Sequence, residues 1–470
     1  MTSGRKKKRM SASIFTAIIA LAWPTMLEQL MQTAVQYIDT AMVGSLGTDA
    51  IAAVGSTTTV NWLVLSTVSA LAVGFLSVIS RALGAGDEGF ARRASAQSVF
   101  AVAVVGVLFT TVTLLLSPLV PVWMRVEESI RPLASRYFFI LYASMLARVA
   151  ITVFSMLLRS AGDSKSPMIV GVVVNVINVV LNFLLIYPTS EYTVLGKTFV
   201  VYGADWGVEG AALASSVAFF VGGVLISLRL WFHKKVSPRG MRILPDMEIL
   251  LPTMKVALPN MLQRFATSFG YVVFASMINF VGPVATAAHT VANTVESAFY
   301  IPGYGMQAAA ATLAGNAYGA NDKKRLKKLA KMTVVIETAL MVISGALLFI
   351  FAPYMVDLFI DDKAAADLAA VVLRMVALSE PFYGVSIVLE GMLQGMGKTT
   401  YPFEVNVTGM WGVRILGTAV CIFAFGMGLV AAWSCMIMHN LLLFGAFSVY
   451  WLVIMKKYSP KGYEKVEETG

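Results

Sequence analysis

Adding 235 to the number of a Pro, Gly or Ala in the first half of this chain repeatedly lands on the same residue in the second. Pro24 maps onto Pro259, Gly47 onto Gly282, Ala52 and Ala53 onto Ala287 and Ala288, Gly84 and Ala85 onto Gly319 and Ala320, Gly162 onto Gly397, and Pro167 onto Pro402. One fixed offset held from Pro24 to Pro167 marks a whole-chain duplication. In a hydrophobic chain such a duplication implies two matching bundles with a cleft between them, the arrangement used for alternating access across a membrane.

The chain is hydrophobic enough for that reading. With 58% hydrophobic and 13% charged residues, it carries about half the charge of an average soluble domain. Apolar stretches of roughly 20 residues or more, the length that spans a bilayer, fall at 13–43, 57–80, 94–120, 133–158, 167–188, 206–230, 248–279, 286–318, 329–354, 365–393, 403–424 and 428–455. The fold expected is an all-α integral membrane protein of twelve transmembrane helices, in two six-helix repeats around a central cleft.

The net charge of +10 is distributed as a topology signal. With the N-terminus inside, most Lys and Arg fall on segments of one face. Arg125, Arg131, Arg136, Lys197 and Lys363 are on the other, and Arg148, Arg264, Arg374 and Arg414 lie within spans. This positive-inside bias puts both termini, and the basic run Arg5–Arg9, in the cytoplasm. The partner it implies is a lipid bilayer, that of a plasma membrane of bacterial type, and not nucleic acid. Segment 13–43 is too long for a cleavable signal and carries Glu28 and Asp39, so it reads as a retained span. The chain is expected to work as a monomer. Cys421 and Cys435 lie inside adjacent spans and read as packing residues, neither a disulfide framework nor a zinc cluster.

Expected boundaries are a cytoplasmic basic N-terminus at 1–12, an N-terminal lobe at 13–232, a cytoplasmic linker at 233–247, a C-terminal lobe at 248–455 and a cytoplasmic tail at 456–470. The basic stretch from His233 to Lys255 has the charge, Pro and Gly of a solvated connection. Gly207 with Ala211 matches Gly428 with Ala432 at an offset of 221 instead of 235, so the first half carries an insertion between Tyr187 and Trp206, read as an extracellular hairpin or cap. Because each half holds an even number of spans, the repeats share one orientation. Pro24 and Pro259 are expected to interrupt the first helix of each lobe, and Pro302 with Gly303 the second helix of the C-terminal lobe, as hinges.

A carboxylate inside a span costs on the order of 2.5–3.5 kcal/mol at the bilayer centre, so it needs a polar partner or a water-filled cavity. Glu28, Gln32 and Asp39 share one face of the first helix at about 100° per residue. Asp39 lies near the outer end of that span, at a depth matching Asn178 and Asn182 on the fifth. One carboxylate with two amide carbonyls is a hard-oxygen set suited to sodium, and a desolvated carboxylate can instead carry a proton. Asp39, Asn178 and Asn182 are therefore the candidate coupling-ion site, with Asp39 the sodium ligand if a metal ion is used. Glu28, Gln32, Arg264, Glu380 and Tyr383 are candidates for a substrate or proton pathway. Glu380 is singled out because it precedes Pro381 near mid-membrane, and Tyr383 enters with the aromatic residues that could hold a flat lipophilic cation. Glu337 and Glu390, toward the inner side, are expected to snorkel or pair with a base.

Gly395–Thr399 resembles the end of a phosphate-binding loop, but the first glycine of that motif is replaced by Met392 and the segment ends a membrane helix. No cofactor is implied beyond a sodium ion or proton. His233, His289 and His439 are scattered without a metal-ligand spacing, which argues against a membrane-embedded enzyme.

The stretch LAWPTMLEQLMQTAVQYIDTAMVGSLGTDAIAAVG, followed by LLRSAGDSKSP at 157–167 and NVVLNFLLIY at 178–187, resembles the multidrug and toxic compound extrusion family over the full chain. The resemblance implies an antiporter that expels lipophilic, often cationic compounds in exchange for inward sodium or protons, with Asp39, Asn178 and Asn182 in the positions of its N-lobe coupling site. The chain departs from the NorM-like branch around the seventh and tenth spans, where Gln263–Arg264 and Tyr383 stand near that branch's acidic residues. The alternative function is a flippase for lipid-linked oligosaccharides, kept open by the arginines within spans.

Overall fold

The structure, a computed structural model, describes residues 2–194 and 197–458. The tip of the insertion at 195–196 and the expected tail from 459 on lie outside the described residues. The first half runs α1 (Thr2–Gly44), α2 (Thr48–Gly84), α3 (Glu88–Leu116), a single turn α4 (Val120–Trp123), α5 (Arg131–Ala143), α6 (Met145–Ser160), α7 (Lys165–Ile186), strands β1 (Pro188–Val194) and β2 (Lys197–Ala204), and α8 (Gly207–Trp231). The second half runs α9 (Met247–Val281), α10 (Pro283–Gly319), α11 (Lys323–Val356), α12 (Lys363–Ala377), α13 (Glu380–Gly395) and α14 (Thr400–Thr408). A π-helical stretch (Gly409–Ile415), α15 (Leu416–Ala419), a second π-helical stretch (Val420–Ala424) and α16 (Leu429–Lys457) complete it. The strands pair antiparallel, so the insertion is the expected hairpin.

Among the described residues nine helices are long and apolar enough to cross a membrane, and two bent helix pairs raise the number to eleven. The 37-residue α10 has the length for one more crossing but is less apolar, because it carries His289, Glu296 and several Thr. The result is consistent with six spans in each half.

The duplication is written into backbone hydrogen bonds. At the end of α2, Ala85 N–H donates to Arg81 O and Asp87 N–H to Ala82 O; at the end of α10, Ala320 donates to Asn316 O and Asp322 to Ala317 O, each position moved by 235. This C-cap needs a left-handed residue. Gly86 supplies it at φ 81°, and Asn321, one of the non-glycine types that tolerates such backbone, at φ 54°.

The same offset relates two broken spans. α5 and α6 meet at Ser144 with a 47° bend, and α12 and α13 meet across Leu378 and Ser379 with a 55° bend. Ser144 Oγ donates to Leu141 O and Ser379 Oγ to Val376 O, at 3.0 and 2.8 Å. Each buried hydroxyl adds a bond to a carbonyl in the last turn before the break. The expected proline breaks are absent, since Pro24, Pro259 and Pro302 all lie inside continuous helices. Ser and Thr hydroxyls explain the tolerance: Thr25 donates to Leu21 O, and Ser344 of α11 donates to Phe299 O in the turn before Pro302.

The chain forms two compact units that cut across the sequence halves. The first comprises Met1–Leu27, Leu76–Glu88 and Leu251–Gly470. Its core joins Ile14, Ile18 and Leu21 of α1 to Leu313 of α10, Leu389 of α13 and Phe447 of α16, and small residues let its backbones approach. A Cβ on Gly395 would lie 1.9 Å from Ala311 O, and one on Gly319 would lie 2.0 Å from Arg81 O. The second unit comprises Glu28–Phe75 and Gly89–Leu250. Within it, the connection read as a solvated linker is strapped to α3: Arg92 donates to Ser237 O and Arg239 O, Gln97 donates to Leu244 O, and Asp246 N–H donates back to Gln97 Oε1.

Candidate functional site

The part of α1 from Glu28 on and α7, both in the second unit, bring the coupling-ion candidates together. Helical spacing puts Asn178 and Asn182 one turn apart on α7, facing Asp39 of α1. Asn182 Nδ2 donates to Asp39 Oδ1 at 2.6 Å. In the amide orientation that satisfies both of its ends, Asn178 Nδ2 lies 2.9 Å from Asp39 Oδ1 and 3.3 Å from Oδ2, while its carbonyl accepts from Ser215 Oγ at 2.9 Å. Both asparagines are buried and Asp39 is half-buried. The carboxylate is thus held by charge-assisted donors from one neighbouring helix.

Asn182 Oδ1 is buried with no hydrogen-bond partner among the described residues. A carboxylate and an open amide oxygen side by side form an oxygen-rich pocket able to take a proton or a small hard cation. Ser215 of α8 and Tyr137 of α5, which lies within the electrostatic reach of Asp39, complete the surroundings. Neither was singled out from sequence, because a lone Ser or Tyr in a span carries no spacing signal. The site is not duplicated: the positions 235 further on are Phe274, Val413 and Gly417.

Glu28 shares the helix face of Asp39 but has a partner. Arg159, from the RSAGD turn at the end of α6, donates Nη2 to Glu28 Oε2 at 2.5 Å, with both side chains nearly sealed from solvent. Gln32 is exposed. The acidic face expected on α1 therefore reduces to Asp39.

In the first unit, Arg264 Nε donates to Asn260 Oδ1 at 2.9 Å. Tyr383 meets Tyr304 through their hydroxyls at 3.2 Å, with the Tyr300 ring edge-on to both. Glu390 accepts from Gln263 at 2.8 Å and Gln394 at 3.0 Å. Glu380 opens α13 at the 55° bend, with Oε2 buried and without a partner among the described residues. Glu337 is fully buried, with no partner for either oxygen among the described residues. It neither snorkels nor pairs, against expectation, because α10 and α13 enclose it.

The MatE family model matches residues 24–184 and again 259–420, starting at the two prolines that open the repeat. The probable multidrug resistance protein NorM of Thermotoga maritima is 26% identical over 420 residues, covering 89% of this chain and 88% of that protein. The probable multidrug resistance protein YoeA of Bacillus subtilis is 23% identical over 452 residues, with 95% and 96% covered. Among solved structures, MATE in the bent conformation superposes with a TM-score of 0.85 at 23% identity, covering 96% of this chain and 97% of that one. The outward-facing conformation of a multidrug resistance MATE family transporter superposes with a TM-score of 0.86 at 22% identity, with 95% and 96% covered. These structures have the same fold as this chain.

Proposed function

This chain belongs to the MatE family, and on that premise we propose that it is a cation-coupled antiporter that exports lipophilic, often cationic compounds. The observation that carries the reading is the Asp39 carboxylate, held by Asn182 and Asn178 beside the open Asn182 Oδ1. The exchanged ion, sodium or proton, binds there. Loading neutralises Asp39, and the two amide donors then lose the negative charge that makes their bonds strong. The grip between α1 and α7 loosens, which gives the ion a differential affinity for two conformations of these helices.

The names of the relatives support a drug-export role. The charge bias places both termini inside, and the bacterial sources of the relatives support a cytoplasmic membrane. The flippase alternative calls for free buried cations: Arg159 is neutralised by Glu28 and Arg374 is exposed, while the buried Arg148 and Arg414, each with a nitrogen lacking a partner among the described residues, keep it as the second reading.

The test is ethidium efflux from cells and proteoliposomes with sodium and pH gradients imposed separately. Asp39→Asn should abolish coupled efflux at unchanged expression, while Glu128→Gln, whose side chain is 86% exposed, keeps it. Parental efflux from Asp39→Asn would remove this site from the mechanism.

A further inference from the structure

Three buried positions of the first half have unlike counterparts in the second. Val68, Val102 and Val149 are all buried. Moved by 235 they become Gly303 on α10, Glu337 on α11 and Gly384 on α13. In the second half these three residues meet. A Cβ on Gly303 would lie 2.8 Å from Glu337 Oε1, and one on Gly384 would lie 3.1 Å from it. The two glycines make room for the carboxyl, where the first half carries branched aliphatic residues.

Turn by turn, the face of α11 holding Glu337, Met341 and Gly345 lies along the face of α13 holding Glu380 and Gly384. Met341 Cγ packs at Gly384, and Gly345 lies against Glu380 Cβ and Ala377 O. Glu380 is thereby within the electrostatic reach of both Glu337 and Glu296 of α10. The other titratable groups of these elements are His289, Tyr300, Tyr304 and Tyr318 of α10, the basic run at 323–331 and Tyr354 of α11, and Tyr383 and Glu390 of α13. On α12, Arg374 is exposed and turned over Phe349. Arg414 of the π-helical stretch lies over Tyr271 and Phe274, and its field falls on Glu296 and on His439 of α16.

We propose that Glu337, with Glu380 beside it, is a second proton-binding site, separate from Asp39 and built into the second half of the chain. The assignment rests on the reading of this protein as a cation-coupled antiporter. Size selects the occupant: with Oε1 boxed in by Gly303 and Gly384, there is space for a proton but not for an ion with its oxygen shell. No group of three or more His, Cys, Asp or Glu able to hold a metal ion occurs among the described residues. Neither Glu337 oxygen has a hydrogen-bond donor or base among the described residues, and an ionised carboxylate so placed is prohibitively costly, so the closed pocket holds the neutral acid.

Release then requires movement, and two movable places adjoin the pocket. One is Pro302–Gly303 in α10, where a backbone hydrogen bond is missing. The other is the 55° break between α12 and α13, immediately before Glu380. Shifting either uncovers Glu337 to water, and the proton passes from Oε of Glu337 to a water molecule. Proton loss is thus linked to the conformation of α10 and α13 as well as to the state of Asp39.

The experiment counts protons released when ethidium is added to purified protein in weakly buffered detergent. It is paired with proteoliposome efflux under a pH gradient and, separately, under a sodium gradient. The parent, Asp39→Asn, Glu337→Gln and the quadruple variant Gly303→Val/Glu337→Val/Met341→Gly/Gly384→Val, which restores Val68, Val102, Gly106 and Val149 of the first half and removes the Met341 side chain that packs at both glycines, are compared. The expectation is that Glu337→Gln and the quadruple variant fold and bind ethidium but lose at least half of the released protons and most pH-driven efflux. Both should also lose the infrared carbonyl band of a buried protonated carboxyl. Parental proton counts and pH-driven efflux in both would overturn the proposal while leaving the Asp39 reading intact if Asp39→Asn is inactive. Parental behaviour of Asp39→Asn with loss in Glu337→Gln would overturn the Asp39 reading and leave the second site standing. If the parent releases no protons at all, the second site is overturned.

Discussion

Glu28 and Arg159 form a buried ion pair at 2.5 Å across 131 residues of sequence, and the duplication replaces both partners together. Their counterparts at the 235-residue offset are Gln263 and Gln394, which donate to Glu390 instead of to each other. The same contact between the first and fourth spans of a repeat is thus made ionic in one half and amide–carboxyl in the other. Breaking a buried pair by removing one partner costs about 3–5 kcal/mol, whereas replacing both with apolar groups of similar size is often neutral. Glu28→Leu and Arg159→Met alone should each lower the thermal midpoint by several degrees in detergent. Glu28→Leu/Arg159→Met should recover most of the loss in a double-mutant cycle. Additive losses would show that the pair contributes nothing as a pair.

The close approach of α10 and α13 at Gly395 makes a stability prediction with an internal control. A Cβ on Gly395 would sit 1.9 Å from Ala311 O, a backbone atom that cannot swing aside, while Gly445 in the interior of α16 has nothing within 4 Å of its Cβ position. Overpacking typically costs 1–3 kcal/mol, and a helical Gly→Ala change in open space gains roughly 0.5–1 kcal/mol. Gly395→Ala should therefore reduce the yield of monodisperse protein and its thermal midpoint, and Gly445→Ala should raise the midpoint slightly. Size-exclusion thermal-shift profiles of the two variants read this directly, and equal behaviour would contradict the packing described at Gly395.

How far the sequence carries depends on the range of each interaction. The offset of 235 and the apolar stretches gave six spans per half, because turn glycines and hydropathy are local signals. The backbone caps at Gly86 and Asn321 repeat that offset bond for bond. The convergence of Asp39 with Asn178 and Asn182 was legible because i, i+4 spacing and depth along a helix are both countable. The bend at Ser144 was not: nothing in YASML announces a break, and its counterpart was noticed only through Pro381. The Glu28–Arg159 pair and the enclosure of Glu337 depend on which helices pack face to face, which a single sequence does not encode locally. Proline misled in the other direction, since hydroxyls on neighbouring turns and helices keep α1 and α10 continuous.

The strap between α3 and the connection to α9 yields a proteolysis prediction. Gln97, itself 2% exposed, donates to Leu244 O at 2.8 Å and accepts from Asp246 N–H at 2.9 Å. Leu cannot replace either bond, and a freed strap would expose Arg239 and Arg242 to trypsin as an extended substrate. Gln97→Leu should speed cleavage at these two arginines several-fold in limited digestion followed by mass spectrometry. An unchanged cleavage rate would mean that the Arg92 contacts hold the strap alone, which Arg92→Ala in the same assay would reveal.

Cys421 and Cys435, read from sequence as packing residues, lie 3.9 Å apart between their sulfurs. They sit on the second π-helical stretch and on α16, and Gly417 leaves space at the Cys435 thiol, where a Cβ would come within 3.1 Å. Both thiols are partly accessible, so closing the gap to a bond of about 2.05 Å needs only small side-chain rotations. Treatment with copper phenanthroline should convert the dithiol to an intramolecular disulfide, with loss of two protons and two electrons to the oxidant. Intact mass should fall by about 2 Da, the mass of the two hydrogens lost on forming the bond, and maleimide labelling of the oxidised protein should disappear until a reductant is added. The closed loop spans a 14-residue separation, for which the chain-entropy relation gives about 3 kcal/mol. The oxidised protein should accordingly melt several degrees higher than its reduced form, and Cys421→Ser should abolish the shift. Persistent double labelling after oxidation would show that the last two spans do not hold these thiols in contact.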